Sequence, residues 1–92
     1  MKIKIGNKFV GDDCPTYVVA EMSANHSGSI KNAFKIIKEA KDAGADAIKI
    51  QTYEPDTITL NTDSTDFLID KKSPWADYKN LWNLYDIAKT PF

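Results

Sequence analysis

One cysteine, a net charge of -1 and no long apolar run narrow the field before any motif is considered. Cys14 has no second thiol with which to close a disulfide and no partner at zinc-ligand spacing, which suits a reducing compartment. Twelve basic residues against thirteen acidic ones create no cationic field. The longest basic run is Lys71-Lys72, so neither composition nor patterning supports a nucleic-acid surface. No stretch approaches the ~20 apolar residues of a membrane span. Met1-Lys2-Ile3-Lys4-Ile5-Gly6 lacks the apolar centre of a signal peptide, and the expected compartment is the cytoplasm. Repeats and low-complexity tracts are missing as well. Disorder is excluded by what is there: 42% of the residues are hydrophobic. The length of 92 residues leaves room for three or four elements around one modest core.

The segment from Lys2 to Gly11 alternates apolar and polar residues around Gly6-Asn7, a favoured two-residue turn, and predicts a hairpin. After the polar break Asp12-Asp13-Cys14-Pro15, the run Thr16-Tyr17-Val18-Val19-Ala20 is β-branched and almost continuously apolar. Such a run suits a strand of a parallel sheet covered on both faces. Ile30, Ala33, Phe34, Ile37 and Ala40 then recur as one stripe of an amphipathic helix. Ser27 or Ser29 caps its start, and Gly44 stands where the helix needs a left-handed residue to end. Ala47-Ile48-Lys49-Ile50-Gln51 reads as the next strand, which completes a βαβ unit with a right-handed crossover. From Thr52 to Lys72 the pattern weakens into a long excursion, with a short strand expected at Thr57–Leu60; loops of that length are usually functional. Ser73-Pro74 is an N-cap followed by proline at the first helical position. Trp75, Tyr78, Leu81, Trp82, Tyr85 and Ala88 form a second helical stripe that Pro91 ends. This aromatic stripe reads as core, or as a contact surface, and not as a base-stacking platform.

The order implies an α/β fold with parallel strands. Two strands cannot shield both faces of a parallel sheet. The expected architecture is therefore about the first third of a TIM (β/α)8 barrel, which takes ~250 residues. Residues 1–15 form the hairpin and its connection, and residues 16–92 the partial barrel (strand, helix, strand, long loop, helix). Alternation turns Tyr17, Val19 and Glu21 inward on one strand, and Ala47, Lys49 and Gln51 inward on the other. Glu21 and Lys49 then lie at the C-terminal ends of adjacent strands ~4.8 Å apart, the rim where barrel enzymes place catalytic groups. An inward ammonium is costly unless it meets an anion. Either the pair is structural, or it lines a ligand pocket; the inward Gln51 beside it favours the pocket. Asn25 and His26 fall on the first βα loop, on the same rim. Nothing near His26 supplies further metal ligands. The Gly28-Ser29 turn at a helix start is only a weak phosphate signal.

Ala20-Glu21-Met22-Ser23-Ala24-Asn25-His26-Ser27-Gly28-Ser29, followed by Ala43-Gly44-Ala45-Asp46-Ala47-Ile48-Lys49-Ile50-Gln51-Thr52, resembles the start of the sialic acid synthases. The stretches Tyr53–Leu60 and Leu81–Tyr85 are more similar to the pseudaminic acid synthase subgroup. The resemblance implies a metal-dependent condensation of phosphoenolpyruvate with the open-chain aldehyde of an acetamido sugar. It yields a nine-carbon 2-keto sugar acid and inorganic phosphate. The metal, a divalent ion of Mg or Mn type, polarises the aldehyde oxygen. By the same resemblance Lys49 holds phosphoenolpyruvate, Gln51 hydrogen-bonds the sugar, Glu21 is the catalytic carboxylate, and Asn25 and His26 support substrate binding. It also implies that the metal-ligating histidines, the remaining phosphate-binding residues and a C-terminal antifreeze-like domain lie downstream, with a homodimer completing the site. None of these is in the 92 residues, so the chain alone is expected to be inactive. The competing readings are another phosphoenolpyruvate-condensing barrel synthase, and a non-catalytic α/β fragment whose Glu21–Lys49 pair is only structural.

Overall fold

Local turn chemistry sets the first element. In the computed structural model, which describes residues 1–92, β1 (Lys2–Ile5) and β2 (Lys8–Gly11) pair antiparallel in the register Ile3 to Val10 and Ile5 to Lys8. Gly6 takes φ +60° at the first position of the turn. A positive φ at that position alone is the pattern that keeps a two-residue hairpin in step with strand twist.

The βαβ unit forms as its periodicity predicts, with shorter strands. β3 covers Val19–Glu21, α1 covers Ile30–Asp42, and β4 covers Ala47–Lys49. β3 and β4 run parallel, with Val19 opposite Ala47, Ala20 opposite Ile48 and Glu21 opposite Lys49. Backbone bonds from Asp46 N–H to the Val18 carbonyl (2.8 Å) and from Met22 N–H to the Lys49 carbonyl (3.0 Å) extend the ladder at both ends. Of the two candidate caps, Ser29 is the one used. It has extended dihedrals, and its hydroxyl accepts the Asn32 N–H at 3.2 Å. This satisfies one of the free donors of the first turn. Ala33 is the buried residue of α1, and Ile37 and Ala40 share a crevice with Ile48 of β4. α1 thus covers the face that carries Ala20 and Ile48. The opposite face, with Val19, Glu21 and Lys49, is open.

Three expectations need correction. Thr57–Leu60 is not a strand: Pro55–Thr57 forms a 3-10 turn, closed by Thr57 Oγ1 and N–H donating to the Glu54 carbonyl. The first strand begins at Val19, not Thr16, and the second ends at Lys49, not Gln51. The second helix, α2, spans only Leu81–Ala88. Ser73 instead closes a local turn by accepting the Trp75 N–H, and Ala76–Tyr78 is a separate 3-10 turn. Lys79 follows at φ +60°, a conformation that breaks any helix from Trp75 onward. Asn80 caps α2: its Oδ1 accepts the Asn83 N–H at 3.0 Å, while its Nδ2 donates to Asp63 at 2.9 Å. The long excursion therefore selects the cap, through a partner 17 residues upstream.

Only six of the 92 residues are buried, and the radius of gyration is 17.3 Å. A compact domain of this length measures about 12 Å. Much of the apolar surface on the hairpin, α1 and the excursion is consequently uncovered. No helix is long and apolar enough to cross a membrane.

One contact ties the hairpin to the βαβ unit. Asp46 accepts the Val18 N–H at 2.8 Å and the Lys8 ammonium, and its side chain is 11% exposed. The Lys8 bond, then the Val18 N–H, holds the Asp46 carboxyl below the ordinary value of 3.8, and the same bond raises Lys8 above 10.5. A lowered carboxyl stabilises the fold above its unfolded value, and that contribution is lost as pH falls through the folded value. The raised lysine contributes below 10.5, and that stability is lost as pH climbs through its folded value. We expect the Val18 amide chemical shift to titrate on the acid side of pH 3.8, together with release of the hairpin. Asp46→Asn should abolish this acid step; an unchanged titration would contradict the assignment.

Candidate active site

The parallel register decides the geometry of the rim. Because Glu21 stands opposite Lys49, both side chains leave the same face of the pair, and the Lys49 ammonium donates to Glu21 Oε1 at 3.2 Å. The side chains are 64% and 60% exposed. They do not lie inside a closed hollow, because the two strands of the chain leave that face uncovered. The expected juxtaposition is present; the expected enclosure is not formed by these residues.

Gln51 lies two residues beyond β4. Its backbone carbonyl is held twice by Thr90, through N–H at 2.8 Å and Oγ1 at 2.6 Å. This brings the segment after α2 back onto the strand end. Gln51 borders a cleft of about 580 Å³ that also includes Ser23 and Ala24 of the first βα loop, Tyr53 and Ile58 of the excursion, Trp75, and Leu84, Tyr85 and Ala88 of α2. Tyr53 donates its hydroxyl to the Tyr85 carbonyl at 2.9 Å, with the two rings edge to face. Burial pushes the Tyr53 phenol up from 10.0. Trp82 Nε1–H donates to Asp56 at 2.8 Å, a second tie between α2 and the turn at Pro55. The cleft was not legible in the sequence. Its walls come from the first βα loop, the excursion and α2, which only the tertiary structure brings together.

The first βα loop is tightly wound. Ser23 and Ser27 adopt φ +50° and +52°, sparsely populated for residues with a Cβ. Asn25 is exposed, and its Nδ2 donates to the Met22 carbonyl at 2.9 Å. His26 is fully buried: its Nδ1 accepts the Gly28 N–H at 2.9 Å, which makes the ring the neutral tautomer protonated at Nε2. That Nε2 is buried without a partner. Asn25 therefore faces solvent at the rim, whereas His26 turns into the loop and braces it. No group of three or more His, Cys, Asp or Glu side chains is arranged to hold a metal ion.

Comparison with known proteins bears on these same residues. The NeuB family profile matches residues 36–92, which include Lys49 and Gln51. The chain belongs to the NeuB family. It is 53% identical over 90 residues to a pseudaminic acid synthase of Campylobacter jejuni, covering 98% of this chain and 25% of that protein. It is 42% identical over 77 residues to the Helicobacter pylori pseudaminic acid synthase, covering 84% of this chain and 22% of that protein. To the N,N'-diacetyllegionaminic acid synthase of Legionella pneumophila it is 37% identical over 57 residues, 62% of this chain and 16% of the other. This NeuB family chain thus spans about a quarter of the length of the relatives it matches. The resemblance to the sialic acid synthases that its two motifs carry holds at family level.

Proposed function

We propose that the chain is the N-terminal part of a TIM-barrel synthase that condenses phosphoenolpyruvate with an acetamido-sugar aldehyde. The product is a nine-carbon 2-keto sugar acid of the pseudaminic or N-acetylneuraminic type. The single observation that carries the proposal is the Glu21–Lys49 juxtaposition at the C-terminal ends of two parallel strands, in a chain of this family. The acetylated amino-sugar acids for which relatives are named support the substrate class.

In this reading the Lys49 ammonium, paired with Glu21 at 3.2 Å, is the cation that meets phosphoenolpyruvate. C3 of the enol attacks the aldehyde carbon and forms the C–C bond, while the aldehyde oxygen takes up a proton. Water adds at C2, the C2–O bond to phosphate breaks, and inorganic phosphate leaves. Glu21, within hydrogen-bond reach of Lys49, moves a proton at the aldehyde oxygen or the attacking water. The Gln51 carboxamide hydrogen-bonds the sugar, with Asn25 and the His26-braced loop beside it. The divalent metal implied by the resemblance finds no ligand set among these 92 residues, and no step is assigned through it. We further propose a homodimeric, cytoplasmic enzyme with a C-terminal antifreeze-like domain.

The direct test is phosphate release by the full-length protein with phosphoenolpyruvate and a panel of acetamido hexoses. No release with any of them would overturn the proposal. Gln51→Ala should raise the Michaelis constant for the sugar about tenfold, the value of one or two neutral hydrogen bonds, and leave that for phosphoenolpyruvate unchanged. An effect confined to phosphoenolpyruvate would contradict the role of Gln51.

A further inference from the structure

The two largest side chains that the chain buries completely, Met22 and His26, both lie in the first βα loop. Met22 directly follows Glu21, and its N–H donates to the Lys49 carbonyl at 3.0 Å. Its own carbonyl accepts the N–H and the Nδ2 of Asn25, at 3.2 and 2.9 Å. Two further turns follow, closed by Ser27 N–H on the Ala24 carbonyl (3.1 Å) and Ser29 N–H on the His26 carbonyl (3.0 Å). This winding needs positive φ at Ser23, Ser27 and Gly28. At the two serines that conformation is strained, and it persists only where surrounding contacts over-determine it. His26 supplies them: its Nδ1 accepts the Gly28 N–H at 2.9 Å, and its carbonyl also accepts Asn32 Nδ2 of α1 at 3.3 Å. The Glu21 side chain, by contrast, is 60% exposed, with the Lys49 ammonium as its partner. The direction of its carboxylate therefore rests on the backbone to either side, which is strand pairing before it and this loop after it.

We propose that His26 is a positioning residue for Glu21, an inference that rests on the synthase reading above. The ring touches no substrate. It is already enclosed by these 92 residues, and further chain packed on the loop only adds cover. His26 acts by fixing the turn at Gly28, and with it the path of the chain back through Met22 to the end of β3. A carboxylate that moves a proton must stand within hydrogen-bond reach of it. A misplacement of about 1 Å, caused away from the chemistry, can slow a reaction about a hundredfold.

The test uses the full-length enzyme, phosphoenolpyruvate and the acetamido hexose that gives the fastest phosphate release. His26→Leu keeps an apolar side chain in the buried position and removes the acceptor of the Gly28 N–H. It should lower kcat by up to about a hundredfold and change both Michaelis constants little. His26→Asn places an oxygen where Nδ1 stands and drops only Nε2, which has no partner; it should recover most of that loss. In a Glu21→Gln background His26→Leu should lower kcat hardly further, because the group that it misplaces is already gone. His26→Gln, whose amide reaches the Nε2 position and not that of Nδ1, carries the same comparisons if His26→Leu does not fold. Unchanged kcat in these variants overturns the inference, as does a loss confined to either Michaelis constant. An equal loss of kcat in both backgrounds, or a His26→Asn enzyme as slow as His26→Leu, also overturns it. Absence of phosphate release from the unsubstituted enzyme with every hexose overturns the synthase reading and this inference with it.

Discussion

Lys49→Ala in the full-length enzyme is expected to raise the Michaelis constant for phosphoenolpyruvate about a hundredfold or more, the scale of removing one partner of a hydrogen-bonded charge pair from a complex. The physical basis is the position of the Lys49 ammonium at the strand end, with the Glu21 carboxylate as its hydrogen-bond partner at 3.2 Å. The structural reading of the pair makes the opposite forecast: a stability loss with phosphoenolpyruvate kinetics untouched. Steady-state kinetics and a thermal melt on one variant separate the two, and an unchanged Michaelis constant would remove Lys49 from the site.

Glu21→Gln should lower kcat by about a hundredfold or more, the range for removing a group that transfers a proton in the rate-limiting step. Glutamine keeps the shape of the side chain and an oxygen that accepts from the Lys49 ammonium, now 3.2 Å from Glu21 Oε1. Orientation of Lys49 is thus largely preserved, and the Michaelis constant for phosphoenolpyruvate should change little. If Glu21 serves only to hold Lys49, the pattern inverts: the loss appears in phosphoenolpyruvate binding and kcat is spared. Measuring both constants at saturating sugar distinguishes a chemical role from a positioning one.

The parts legible from sequence share one property: their signals repeat within a few residues. Alternation around Gly6-Asn7 specified the hairpin, and the stripe from Ile30 to Ala40 specified α1. Period two on either side of that helix placed Glu21 and Lys49 on one face, and the observed register sets them opposite each other. Where the start of the second helix was misread, a distant partner had the deciding contact. Ser73-Pro74 has good helix-start chemistry, but Asn80 also finds Asp63, and the Lys79 backbone breaks the pattern before it. Burial of His26 could not be read from its loop position, since the strained turn at Ser27 and the Gly28 N–H together draw the ring inward.

The amino-acid sequence by itself determined the βαβ unit, the face that carries Glu21 and Lys49, and the family motif around them, because strand alternation and helical spacing are local periodicities. Only the tertiary structure decided where α2 begins, how Asp46 fastens the hairpin through Lys8, and how Thr90 returns to the Gln51 carbonyl to wall the cleft. Those contacts join residues 38 and 39 positions apart in the last two cases. They depend on chain closure and on satisfying polar groups in three dimensions, for which a one-dimensional pattern carries no period.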